Sequence, residues 1–251
     1  MKKINPNLLK LAHLTYNPEL KPREEKTEEV KEEPGVLEIR AKINRKEYIQ
    51  IPNTTILISK EEINKGRNWR STHEALAEDV LFMPSPAIFM PYFKNVLDAY
   101  HKKKTLYDGD GNAVPLKEVE DIYEYLTSDH RKGCWSWLDA KFLKGKKGLE
   151  LETEHRVVKG TLVGKTYPLE EYVEEDCFVD LECNTQGLPF RKTVNQSYKQ
   201  GENIKFWYPK ADRVAWFVAD SYGAYLNCYG VPTDADSALG VFACAEGARQ
   251  K

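Results

Sequence analysis

The sequence predicts an α+β fold, and three observations predict it. Segments after residue 148 read as a succession of short strands, from LELETEHRVV to GVFACA. Apolar residues between about 71 and 126 recur instead at helical spacing. Strand-like alternation also precedes them, so helices hold the middle and strands both ends. The chain has 251 residues, 41% hydrophobic and 11% aromatic. That is enough for one large domain or two small ones. No internal repeat is visible. The division we expect is a charged arm over 1–35 and one domain over 36–251.

Taken in order, LKPREEKTEEVKEEPG (20–35) is charged and nearly free of large apolar groups, a composition that cannot bury enough surface to order itself. VLEIRAKI and EYIQIP then alternate like strands around a turn near Asn44, and TTILIS reads as a third strand. Ser71 and Glu74 form a Ser-x-x-Glu capping box ahead of Leu76, Val80 and Leu81. Phe93, Val96, Leu97 and Tyr100 continue at helical spacing and run into Lys102, Lys103 and Lys104, which suit a helix C-terminus. Pro115 opens a further helix with Val119, Ile122, Tyr123 and Leu126 on one face. WSWLD (135–139) reads as scaffold with Trp135 and Trp137 wholly or partly buried. In NQSYKQGENIKFW (195–207), Gln196 and Asn203 are expected to hold loops by hydrogen bonds. The later strands are LELETEHRVV, GTLVG, CFVDLE, IKFWYP, VAWFVA, AYLNCY and GVFACA.

Composition removes several function classes. A net charge of −2 argues against general nucleic-acid affinity, since phosphate binding needs a concentrated basic surface. KKGLELETEHRVVKG (146–160) interleaves its bases with acids and reads as a solvated face. No run approaches 18 apolar residues, so no membrane-spanning helix is expected. The first 22 residues lack the apolar core of a signal peptide, and localisation stays open. Cys134, Cys177, Cys183, Cys228 and Cys244 are an odd number without a framework spacing, which reads as free thiols. DGDGN (108–112) begins like an EF-hand loop, but Ala113 and Val119 occupy the positions that need Gly and Glu, so it reads as a tight turn. There is no phosphate-binding Gly-rich loop. None of His13, His73, His101, His130 and His155 has ligand spacing along the chain, so each is expected to be a surface or internally satisfied side chain. No cofactor and no metal are expected.

The stretch 211–240, ADRVAWFVADSYGAYLNCYGVPTDADSALG, stands apart. Lys and Glu make up about a fifth of the chain, yet neither occurs here; Gln, Met, His and Ile are missing too. Ala215, Phe217, Ala219 and Ser221 alternate with Trp216, Val218, Asp220 and Tyr222. Leu226 and Cys228 alternate with Tyr225, Asn227 and Tyr229. Residues two apart on a strand share a face. One face therefore reads as core, and the other carries Trp, Tyr, Asp and Asn, the side chains of adaptable recognition surfaces.

The run VAWFVADSYGAYLNCYG, followed by DADSALGVFACAEG, resembles the C-terminal variable region of diversity-generating retroelement variable proteins, and is most similar to their archaeal and archaeal-virus members. The likeness is most specific over about 190–247, looser over 50–190 and absent over 1–35. It implies a C-type lectin fold, related to that of formylglycine-generating enzymes, with LGVFACA as the last core strand. It also implies a variable region at about 208–240, rewritten by a reverse transcriptase that replaces template adenines. Asn-type codons altered in this way reach Asn, Asp, Ser, Tyr, Gly, Thr, Ala, Val and others, and never Lys, Glu, Gln, Met or Trp. The absence of Lys, Glu, Gln and Met fits that rule; Trp216 falls outside it.

The resemblance and the alternation together imply a non-enzymatic binding protein whose ligand is a protein or glycan on a cell or virus surface. The residues expected to form one exposed, continuous patch are Trp216, Val218, Asp220, Tyr222, Tyr225, Asn227, Tyr229, Val231, Thr233 and Ala235, with Tyr208 and Asp212 at its margin. Val214, Phe217, Leu226, Cys228, Leu239 and Val241 are expected beneath it as scaffold. The alternative is an enzyme of the formylglycine-generating type or another catalyst on the same fold. Those enzymes use a closely spaced cysteine pair, whereas Cys228 and Cys244 lie sixteen residues apart. The calcium-binding triplets of sugar lectins, Glu-Pro-Asn, Gln-Pro-Asp and Trp-Asn-Asp, are missing as well.

Overall fold

The alternation in EYIQIP and TTILIS produces β1 (Tyr48–Gln50) and β2 (Ile56–Ile63), paired antiparallel. The structure, a computed structural model, describes residues 42–128 and 133–247. The charged arm over 1–35 and the strand expected at VLEIRAKI lie outside those residues, apart from Lys42 and Ile43, which are irregular. β2 also pairs antiparallel with β10 (Val241–Glu246), so the last strand closes against one of the first. Phe242 and Cys244 of β10 join the larger core cluster, whereas Val241 and Ala243 join a second. A strand buried on both faces reads as a continuous apolar run, as GVFACA does.

Three helices follow: α1 (Trp69–Glu78), α2 (Pro86–Tyr100) and α3 (Leu116–Thr127). Val119, Ile122, Tyr123 and Leu126 form the buried face of α3, as their spacing predicts. Tyr123 stacks on Tyr100 with ring centroids 3.6 Å apart, joining α3 to α2. Such a pair adds about 0.5–1.5 kcal/mol beyond its buried area. The start of α1 corrects the capping-box reading. Asn68 is the N-cap and its side chain accepts from Ser71 N at 2.8 Å, while Glu74 bonds Arg70 instead. The helix also stops at Glu78; Val80 is left-handed (φ 59°) and exposed.

The second sheet has the order β5-β4-β3-β8-β9-β7-β6. Its strands are β3 (Cys134–Lys144), β4 (Leu149–Val158), β5 (Thr161–Pro168), β6 (Cys177–Val179), β7 (Ile204–Trp207), β8 (Arg213–Asp220) and β9 (Gly223–Gly230). All neighbours are antiparallel except β7 and β9, which run parallel. α2 and α3 cover one face, where Phe217 meets Phe89 at 4.7 Å and Phe93 at 5.2 Å. On the other face, Trp69 and Leu76 of α1 pack with Trp137, Val214, Leu239 and Val241 into the second cluster. The α+β class therefore holds, and among the described residues no helix is long and apolar enough to cross a membrane.

Candidate functional site

Strand pairing puts every second residue of β7, β8 and β9 on one face of the sheet, opposite α2 and α3. Two cross-strand rows organise that face. In one, Trp137, Trp216, Asn227 and Trp207 are consecutive partners across β3, β8, β9 and β7. In the other, Trp135, Val218, Tyr225 and Lys205 are partners in the same order. Neighbouring strands lie about 4.8 Å apart, so each row is a ladder of touching side chains. The rings of Trp207 lie 5.2 Å from Tyr229 and 6.4 Å from Tyr225. Lys210 Nζ sits 3.5 Å over the Tyr208 ring, and Lys205 Nζ sits 5.2 Å from the Trp207 ring.

Polar contacts fix the ends of this surface. Asp220 Oδ2 accepts from the Tyr225 hydroxyl at 2.7 Å, while its Oδ1 accepts from Tyr222 N at 2.8 Å. Burial, with the Asp220 carboxylate accepting its proton, pushes the Tyr225 phenol up. Burial and the nearby Asp176 carboxylate raise Tyr229 as well, and Asp176 Oδ1 also accepts from Tyr208 N at 3.1 Å. Asn227 Oδ1 accepts from Tyr229 N at 2.9 Å. Gly223 shapes the β8–β9 turn: its φ of +105° favours glycine, and a Cβ there would fall 2.4 Å from the Tyr198 ring.

The expected patch is thus partly realised. Tyr222, Asp220, Tyr225, Tyr229 and Tyr208 lie along one chain of contacts, joined through Trp207 and Lys210. Tyr222 is 84% exposed, whereas Asp220, Tyr225, Tyr229 and Tyr208 fall short of the expected exposure and are half-buried. Val218 and Asn227 correct the expectation of exposure, for both are buried. The alternation puts them on the right face, but each is small and lies between larger aromatic cross-strand partners that cover it. Trp216 is half-buried against Trp135 and Trp137 and joins the second core cluster, so it is part scaffold. Asp212 is exposed at the turn into β8, tied to β3 by its N–H to Phe142 O at 2.7 Å. Val231, Thr233 and Ala235 are exposed on the loop between β9 and β10, whose base is held by Trp69 N donating to Pro232 O at 3.2 Å. Trp207, Lys205, Lys210 and Asp176 were not legible as site residues. IKFWYP showed the alternation, but the parallel pairing of β7 with β9 has no local sequence mark.

The scaffold expectations hold. Val214, Phe217, Leu226, Cys228, Leu239 and Val241 are all buried. Gln196 and Asn203 tie their loops as expected: Gln196 Oε1 accepts from Phe178 N at 3.3 Å, and Asn203 Oδ1 from Lys199 N at 2.8 Å. DGDGN is a turn in which Asp108 Oδ1 accepts from Asp110 N and Asn112 N. All five thiols are free. A surface cavity of about 1520 Å³ lies between β1, residues 52–55 and the 104–111 loop and shares no residue with the aromatic face.

The bases of 146–160 are exposed, as expected of a solvated face, while the alternate residues Leu151, Thr153 and His155 face inward, where His155 joins a second cluster. His73 on α1, Asp139 on β3 and His155 on β4 are each at most 4% exposed, and each offers a ligand atom within 4.8 Å of the others. Trp69 stands edge-on to both imidazoles, at 4.5 and 4.9 Å. Asp139 Oδ1 lies 2.5 Å from His155 Nδ1 and 3.6 Å from His73 Nε2, which has no hydrogen-bond partner among the described residues. Burial above all lowers the His73 imidazole to about 4, so it is neutral at pH 7. The helix and the two strands that meet here are 66 to 82 residues apart along the chain, which no sequence spacing could show.

The site and fold define an α+β protein with an aromatic sheet face. Comparison with known proteins finds no matching family model, curated protein or solved structure.

Proposed function

We propose that this chain is a non-enzymatic ligand-binding protein of the diversity-generating retroelement variable type, with a C-type lectin fold and a binding surface on the β7–β9 face. The observation that carries the reading is the division of β8 and β9. One set of alternate residues lies in the core, and the other presents Tyr222, Asp220, Tyr225 and Tyr229 from a stretch free of Lys and Glu. The closure of β10 on β2 supports the expected last core strand. Tyr225 and Tyr229 are the anchors, since large aromatics backed by a rigid sheet lose little entropy on binding and carry most hot-spot energy. Asp220 and Lys210 add charge of either sign at the margins.

The oxidase alternative has less support. Cys228 and Cys244 lie in strands of different sheets. Burial pushes both thiols well up, which removes the thiolate that such chemistry needs. The test is a screen of the purified chain against arrayed cell-surface proteins and glycans, followed by alanine variants. Tyr225→Ala and Tyr229→Ala should each weaken a captured partner by about thirtyfold, or about 2 kcal/mol. Val163→Ala, on the exposed β5 edge, should not. Equal losses at Val163, or none at either tyrosine, would place the binding surface elsewhere.

A further inference from the structure

We propose that His73, Asp139 and His155 bind a divalent transition-metal ion of the zinc class, which staples α1 to β3 and β4. Two imidazoles and a carboxylate are a donor set that zinc takes readily. Two ligand atoms on a tetrahedral ion, each about 2.0–2.1 Å from it, lie roughly 3.3 Å apart. His73 Nε2 and Asp139 Oδ1, 3.6 Å apart, already have that separation. His155 Nδ1 and Asp139 Oδ1, at 2.5 Å, share a proton; a metal ion takes the proton's place and the pair opens to ligand spacing.

The surroundings are built for this arrangement. Between β3 and β4 the regular ladder ends at Lys141 and Glu152, and beyond it the Asp139 carboxylate, in place of a backbone carbonyl, accepts from His155 N at 3.0 Å. The ladders of β3 with β8 and of β4 with β5 shift register at the same level. Such irregularities re-aim side chains next to functional sites. With Nδ1 on the metal, His155 turns Nε2 toward Glu152 Oε2 at 3.5 Å, which supplies the outer carboxylate that metal-bound histidines use. A cavity of about 30 Å³ touches both imidazoles. It has room for a water as fourth ligand. Among the described residues, hydrogen bonding accounts for His155 and Asp139 but leaves the buried His73 Nε2 without a hydrogen-bond partner. A metal ion accounts for all three.

The experiment titrates the chelator-stripped full chain with cobalt(II), a spectroscopic substitute for zinc. The expected result is the visible d–d absorption of a four-coordinate ion, without a thiolate charge-transfer band, saturating at one ion per chain and displaced by zinc. Glu152→Gln should weaken binding roughly 10–100-fold, and His73→Gln by more than that. Cys183→Ser should change nothing. Zinc should raise the melting temperature of the wild-type chain and leave that of His73→Gln unmoved. Absence of the d–d bands in the wild-type chain would overturn the proposal, as would full affinity in a folded His73→Gln protein. If His73→Gln does not fold, unchanged affinity in Glu152→Gln overturns it.

Discussion

Asn227 and Val218 show how one side chain's exposure depends on residues far along the chain. Each points to the same side of the sheet as Tyr225 and Tyr229, yet each is covered. Asn227 lies between Trp216 and Trp207, and Val218 between Trp135 and Tyr225. A strand residue sees its own neighbours two apart, but its cover comes from strands that only the tertiary fold supplies. Glu62 makes a similar case for charge. Its side chain is enclosed beside Tyr125, Lys65 and Cys134. Burial raises its carboxyl above the ordinary 4.5, against the lowering effect of the Tyr125 and Lys65 contacts. A carboxyl raised in the folded state contributes stability that is full below pH 4.5 and is lost as pH rises through the folded value. Glu62→Gln keeps the shape and cannot ionise. Denaturant midpoints measured across this range should therefore show the wild type losing ground to Glu62→Gln as pH rises. Parallel curves would mean that the carboxyl ionises as freely inside the protein as outside.

At the scale of elements, β8 and β9 are two-faced plates, and the faces should respond differently to substitution. Phe217→Ala removes a ring packed against Phe89 and Phe93 and should cost about 3–5 kcal/mol. Val218→Ala, on the outward face but fully covered, should cost about 2 kcal/mol. Tyr222→Ser should stay within about 0.5 kcal/mol, because its side chain is exposed and its N–H contact to Asp220 survives. Chemical denaturation of the three variants checks the order; a cost at Tyr222 equal to that at Phe217 would make the outer face structural. Element by element, the sequence was legible wherever one face was wet. α3, β4, β8 and β9 show their periods plainly. β3 did not, since CWSWLDAKFLK is a central strand buried on both sides and has no alternation to read. α1 was displaced because Asn68, rather than Ser71, offered the cap. The histidine cluster was invisible, since it needs α1 to lie across β3 and β4.

At the scale of the whole molecule, two kinds of chemistry are kept apart. The scaffold is apolar and pinned by β10 on β2, by α2 and α3 on one side of the large sheet and by α1 on the other. The aromatic face lies on β7, β8 and β9, with Phe217, Leu226 and Cys228 beneath it and with Tyr222 its most exposed side chain. That separation is what repeated rewriting of a surface requires: interior substitutions create cavities that cost several kcal/mol, whereas exposed ones are near neutral. The most direct measurement of this account is the DNA sequence of the locus. We expect a reverse transcriptase gene and a near-identical second copy of the segment encoding about 208–240, differing from this one only where the copy carries adenine. The differing codons should be those of outward side chains such as Tyr222, Tyr225 and Tyr229, with Phe217, Leu226 and Cys228 unchanged. A locus with no such copy, or with differences spread equally over the core codons, would contradict it.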